Sequence, residues 1–358
     1  MTKLVKRITV LLCCCLFLCA MGCSKAQPSE STTPPSQPEV TEPEPPPEPP
    51  EPEYLNPLTG LEMAPSFEGQ RPVAIMINNI QKATPQIGIS QADIIYECTV
   101  EGGITRMMML VKDYASLDVV GSVRSSRDYF IDLAQGHDAL YVHAGGSEDA
   151  YSAIRSRGID NMDGVNQSIP DMFYRDPERR KKMGMEHSLM TTGEGIVKGI
   201  AYRGLRTDIW DGYDSTLIFA KEAAAPAGES ALHATVPYST YITATFDYDE
   251  GSQSYLKGQY GGPHIDGATG EQLAFTNVLI LRAPHTGALD AKGHIDVDLT
   301  AGGDGYFLSM GKYVPITWQK PEHGAPLQLL DANGYPLELN PGKSYISIVS
   351  TTANVTIE

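Results

Sequence analysis

The stretch Asp93-Ile-Ile-Tyr-Glu-Cys-Thr-Val-Glu-Gly-Gly-Ile-Thr-Arg-Met-Met-Met-Leu-Val-Lys112 decides how this chain folds. Two near-continuous apolar runs flank Gly102-Gly103. Runs this short, bounded by turn residues, read as strands buried on both faces. Glu97 lies inside the first run, where an unpaired carboxylate is costly to bury. Arg106, across the hairpin, is its expected partner.

Outward from this hairpin, Val73–Asn78 and Ala139–His143 read as further buried strands. Helices are expected over Ser125–Leu133, over Ser147–Arg155 and over Thr192–Tyr202. Ser147 is the N-cap of the second, with Glu148 and Asp149 in its first turn. Gly193, Gly195 and Gly199 weaken the third. Past Lys221-Glu-Ala-Ala-Ala-Pro-Ala-Gly228 the character turns to β. Tyr238–Tyr248 alternates, and Phe275–Leu281, Gly305–Met310, Tyr313–Trp318, Leu327–Leu330 and Tyr345–Val349 are short strand-like runs. Asn333-Gly334 fits a tight turn. The fold class is therefore α+β: a layered sheet-and-helix half over 54–220, a linker over 221–235, and a mainly antiparallel β half over 236–358.

The amino terminus carries a different message. Lys3, Lys6 and Arg7 precede an apolar stretch from Ile8 to Met21, and Ala20-Met21-Gly22 leads into Cys23. That is the order of a secretory signal peptide over 1–22. The run falls short of the roughly 20 residues that a spanning helix needs. A cysteine at the cut marks lipidation at Cys23, with a diacylglyceryl group and palmitate-type acylation holding the chain to the extracytoplasmic face of the membrane. Residues 24–53 are almost only Pro, Glu, Ser, Thr and Gln, a composition that stays disordered. Extended at about 3.1 Å per residue, this stalk spans at most roughly 90 Å. Five of the six cysteines lie in the signal or at the cut, leaving Cys98, so no disulfide holds the body together.

The chain has a formal charge of −17, and residues 54–358 hold 23 basic against 37 acidic residues. Polyanion binding runs on cationic patches, so a body this acidic argues against general nucleic-acid binding, and against broad binding of anionic wall polymer unless a metal ion or a local pocket intervenes. The run Arg175 with Arg179-Arg180-Lys181-Lys182 reads as an exposed loop.

Four constellations carry candidate chemistry. Arg124-Ser125-Ser126-Arg127 and His143-Ala-Gly-Gly-Ser147 both run from a strand toward a helix. Such turns present backbone N–H groups to an anion, and two arginines add to the grip. Glu97 and Glu101 form a carboxylate pair suited to acid/base work, with His143 as a third candidate. Glu186-His187-Ser188 places a histidine beside a carboxylate, although no metal-ligand spacing occurs and no metal or cofactor is indicated. Gly262-Pro-His-Ile-Asp266 is a turn between strands. Ser309-Met-Gly-Lys312 and Ser254-Tyr-Leu-Lys257 match Ser-x-x-Lys but sit in β-like stretches without the companion motifs. Against the site readings stand bland ones: Ser125, Ser126 and Ser147 as helix caps, Arg124 and Arg127 paired with local acids, and Glu97 in a structural ion pair.

Taken together, Arg71-Pro-Val-Ala-Ile-Met-Ile-Asn-Asn79, Gly88–Glu97, Glu101–Arg106, Gly121–Arg127, His143–Ser147, Gly262–Asp266 and Thr317-Trp-Gln-Lys320 resemble the YerB-type lipoproteins. That group is defined by paired amino-terminal and carboxy-terminal domains of unknown function. The resemblance runs from about Asn56 to about Val349. It implies a layered α+β fold and no activity. Two positions depart from the family pattern, Asn78 for an Asp and Ser188 for an Asn, which puts in doubt any part in catalysis that those positions play elsewhere in the family.

Three functions remain open at this point. One is a surface-anchored binding lipoprotein whose small anionic or cell-wall ligand is held by Arg124, Ser125, Arg127, His143, Ser147 and His187. Another is a hydrolase or transferase acting on envelope material with Glu97, Glu101 or His143 as acid and base. The third is an envelope scaffold.

Overall fold

The computed structural model describes residues 54–358. The expected signal peptide 1–22, the expected lipidation site Cys23 and the expected stalk to residue 53 lie outside the described residues.

The continuous apolar runs form the middle of a sheet of eleven strands. Its order is Glu229–Ser230, Lys312–Gln319, Gly303–Ser309, Asn277–Ala283, Ser344–Ser350, Ile94–Thr99, Thr105–Val111, Val73–Asn78, Leu140–His143 and Asn161–Asp163. Gln328–Leu330 lies beside Lys312–Gln319. The 54–220 and 236–358 segments share this sheet. They join where Ile94–Cys98 runs parallel to Ser344–Ile348. A six-stranded antiparallel sheet forms the second β layer. Its order is Gly262–Pro263, Ser254–Gln259, Thr243–Asp249, His233–Pro237 and Thr356–Ile357, with Ala274–Phe275 beside Ser254–Gln259. The fold is α+β, with a β-rich carboxy-terminal half.

Every residue of Ile94–Thr99 and Thr105–Val111 is buried because each face of the large sheet has its own core. Ala74, Met76, Tyr96 and Met108 point toward Phe130, Leu133, Ala150 and Ile154 of the helices Asp128–Gly136 and Glu148–Arg157. Ile75, Ile77, Ile95 and Met107 point the other way. Their core includes Val236, Ala244 and Phe246 of the second sheet and Ile196 and Ile200 of the helix Gly193–Arg203. Side chains alternate between faces along a strand, so two cores demand an unbroken apolar run.

Local signals set the helix ends. Ser147 accepts from Ala150 N–H, and Thr192 accepts from Gly195 N–H. The glycines of the last helix allow close contact: a Cβ at Gly193 would sit 2.5 Å from the Ala115 carbonyl oxygen. The helix expected from Ser125 begins only at Asp128. Residues 124–126 are extended instead, held by Arg124 N–H on Met76 O and Ser126 N–H on Gly145 O, both 2.9 Å. The basic run is likewise no open loop. It forms a helix, Pro177–Met183, capped by Asp176. In it Arg179 is buried and donates to the carbonyls of Ala83, Pro85 and His187. Residues 221–235 contain the edge strand Glu229–Ser230 and the start of His233–Pro237. Among the described residues no helix is long and apolar enough to cross a membrane.

Candidate functional site

The two strand-to-helix segments do meet. Ala144 N–H donates to Arg124 O at 2.9 Å, and Ser126 bridges to Gly146. Their side chains nevertheless turn to different partners. Arg124 pairs with Glu186 at 2.9 Å. Arg127 and Arg106 both hold Glu101, with contacts of 2.5 Å. Burial pushes the Glu101 pKa up, but these two guanidiniums outweigh it and hold the carboxyl below its usual range. The Ser125 carbonyl accepts from Arg106 at 3.1 Å. His143 is fully buried, with Nδ1 at 2.8 Å from Gly145 O and Nε2 at 3.3 Å from Asn161 Oδ1. Ser147 is spent as a cap. His187 accepts from Asn78 Nδ2 at 2.8 Å and turns Nε2 toward Glu186 at 3.3 Å. Burial lowers its pKa against the pull of Glu186. Arg124 and His187 thus meet on Glu186, Arg127 sits on Glu101, and His143 faces Asn161. No hydrogen bond joins any two of Glu97, Glu101 and His143.

Glu97 does not pair with Arg106. The register places Met107 opposite Glu97 and Arg106 opposite Cys98. Neighbouring positions on a strand face opposite sides, so Arg106 points to the helix face and Glu97 to the second sheet. There Glu97 meets Lys257, 3.6 Å away, and both side chains are fully buried. Thr105 Oγ1 donates to Glu97 Oε1 at 2.6 Å, Asn79 Nδ2 donates to it at 2.7 Å, and the Tyr345 hydroxyl donates to Oε2.

The network closes on itself. An ammonium has three donors, and Lys257 has three acceptors: Glu97, Gln259 Oε1 at 3.2 Å and His264 Nδ1 at 3.2 Å. With Nδ1 accepting, His264 Nε2–H donates to Gln86 Oε1 at 2.8 Å. The Gln86 amide then donates to Asn79 Oδ1 at 2.8 Å, and Asn79 returns the chain to Glu97. Burial, joined by the Lys257 charge, drives the His264 pKa well below the ordinary value, so the ring is neutral. Burial also lowers the Lys257 pKa, against the pull of Glu97. Asp266 ties the same hairpin down by accepting from Gly88 N–H, Ser90 N–H and Ser90 Oγ.

This network backs a cleft of about 350 Å³ whose walls include Gln81, Thr84, Gln259, Tyr260, Pro263 and His264. Gln81 and Thr84 come from the segment after the first strand, and the others come from the hairpin of the second sheet. Tyr260 and Gly261 form its turn, both at positive φ (53° and 77°). Such turns favour Asn and Gly. A tyrosine there costs on the order of 1–3 kcal/mol, a strain that clusters at ligand sites. Its hydroxyl donates to Asn79 O at 2.6 Å. A recess of about 500 Å³ along 300–303 and 317–321 lacks such a network. Its Lys320 spends its donors on the His323 and Ala325 carbonyls.

Sequence reasoning missed Lys257 and Gln259 as site residues. Their signal was phase: both fall in step with buried Tyr255 on Ser254–Gln259.

A layered α+β fold with a polar cleft at the seam of its two sequence-defined halves describes the class. The chain belongs to the DUF3048 family, whose models are described as the N-terminal and C-terminal domains of a protein of unknown function and match residues 58–206 and 234–346. It is 32% identical over 296 residues to a Bacillus subtilis (strain 168) protein named "Putative lipoprotein YerB", covering 82% of this chain and 85% of that one. The crystal structure of YerB from Bacillus subtilis superposes with a TM-score of 0.74 at 29% identity, over 85% of this chain and all of the other.

Proposed function

We propose that this chain is a membrane-anchored, extracytoplasmic binding lipoprotein that takes an uncharged polar component of the cell wall into the cleft between 81–85 and 259–265. One observation carries the reading. Among the described residues the cleft walls hold no charged side chain, while the fixed Lys257–Glu97–His264 network stands directly behind them. A charged ligand would meet no counter-ion there, whereas amides, an aromatic ring and prolines suit a neutral polar one. The signal-like amino terminus, Cys23 and the relative's printed name support the anchor. The anionic-ligand reading finds less support, because Arg124 and Arg127 already carry carboxylate partners. An acid/base role for Glu97, Glu101 or His143 finds less support, because each is already engaged, Glu97 by Lys257, Glu101 by two arginines and His143 by Gly145 and Asn161.

The test is calorimetric titration of the full chain with soluble wall fragments. Gln81 is exposed, so Gln81→Trp fills the cleft without disturbing the core. It should abolish binding, and the double variant Arg124→Ala/Arg127→Ala should keep it. The reverse pattern would move the site to the arginines.

A further inference from the structure

On the reading that this cleft is the binding site, we infer that it recognises an acetamido group, with Gln259 Nε2 donating to the carbonyl oxygen. Gln259 is nine-tenths buried yet lines the cleft. Its Oε1 is held by Lys257 Nζ at 3.2 Å, which removes the usual freedom of an amide to flip. The NH2 end is therefore the end offered to a ligand. It has no partner among the described residues and is not among their sealed, unpartnered polar atoms.

Apart from the exposed Gln81, the neighbouring polar groups are spent, with Thr84 Oγ1 given to the Gln81 carbonyl. His264 uses Nδ1 on Lys257 and Nε2 on Gln86, and the Tyr260 hydroxyl is given to Asn79 O. What they present to the cleft is ring carbon, beside Pro85 and Pro263. One fixed donor beside ring carbon and proline matches a carbonyl oxygen next to a methyl group, which is the outline of an N-acetyl substituent on a neutral sugar. A hydroxyl in the same place would satisfy the donor but leave the apolar walls unfilled. A free amine would set donor against donor. Lys257 is a positioning residue in this scheme, since it fixes the Gln259 amide and need not touch the ligand.

The experiment compares two uncharged oligosaccharides of equal length by calorimetry on the full chain: N-acetylglucosamine tetramer and cellotetraose, which lacks the acetamido groups. The acetylated sugar should bind at least tenfold tighter. Gln259→Glu retains an acceptor for Lys257 and removes the donor, and should cut that preference to within threefold, with the circular dichroism spectrum unchanged. Equal binding of the two sugars by the unaltered protein, which requires no variant to fold, would overturn the inference. So would full preference retained in Gln259→Glu. If neither sugar binds while wall fragments bind and Gln81→Trp abolishes that, the acetamido assignment fails and the cleft stands. If Gln81→Trp leaves wall-fragment binding intact, the cleft itself is the wrong site and both fail.

Discussion

Glu97 and Glu101 stand four positions apart on one hairpin, yet their surroundings differ in kind. Glu101 lies at the turn, 23% exposed, between two arginines, one of them five positions away. Its neighbourhood is assembled mostly from nearby chain, and water screens part of its charge. Glu97 lies mid-strand between two sheets, fully buried, and its lysine comes from the other half of the chain. The first arrangement can be loosened at modest cost. The second is a buried polar circuit in which Glu97, Lys257, His264, Gln86 and Asn79 each meet the next, so losing one strands its neighbours away from water.

The largest difference should appear when one partner is removed. Lys257→Met leaves the Glu97 carboxylate buried without its counter-charge, at a cost of about 3–5 kcal/mol in urea unfolding. Glu101→Gln removes the counter-charge of two buried guanidiniums but keeps an amide oxygen for them at a part-exposed position, and should cost less, about 2–3 kcal/mol. The double variant Glu97→Gln/Lys257→Met should recover part of the single loss, because no orphan charge remains and the amide oxygen still accepts from Thr105 and Asn79. Equal losses from Lys257→Met and Glu101→Gln would erase the distinction between the two carboxylates.

Acid should separate them next. The folded pKa of His264 lies below its unfolded value near 6.5, so the unfolded chain binds the proton first as pH falls. Stability is thus intact above about 6.5 and falls as the pH drops below it, by up to about 1.4 kcal/mol per unit for this one group. His137, lowered to about 4, and His187 and His285 act in the same direction. Glu101 is also shifted downward, but from an ordinary value of 4.5, so its contribution is intact above about 4.5 and is lost only as the pH falls below it. Between pH 6.5 and 5, His264→Gln should flatten the decline in unfolding free energy, while Glu101→Gln should leave its slope unchanged. A slope that responds to Glu101 instead would contradict the assignment.

The smallest effect belongs to the surface. Arg124–Glu186, with Glu186 61% exposed, should yield at most about 1 kcal/mol on Arg124→Ala, and less in high salt. A loss as large as that of Lys257→Met would mean that this pair is more than a surface contact.

Much of the scaffold was legible before any coordinates. Val73–Asn78 matches its strand residue for residue, and Ser147 and Thr192 cap as their chemistry suggests. The site was less legible. Segments 124–127 and 143–147 lie side by side, but their arginines answer to Glu186 and Glu101, acids that neither segment contains. The Glu97–Arg106 pairing was open to correction from phase alone, since the hairpin register puts the two on opposite faces.

What the sequence determined by itself is what short-range physics controls. Alternation sets which strand positions face a core, and a hydroxyl before a helix sets its start. The tertiary structure decided which charges meet. Gln86 bonds His264 across 178 positions, and Tyr345 reaches Glu97 across 248. Such contacts arise only after Ser344–Ser350 has docked parallel to Ile94–Thr99. No local pattern encodes that pairing, because parallel neighbours are joined by long connections rather than tight turns. The cleft inherits this dependence: one wall follows the first strand, the other is a hairpin far along the chain, and neither wall alone is a site.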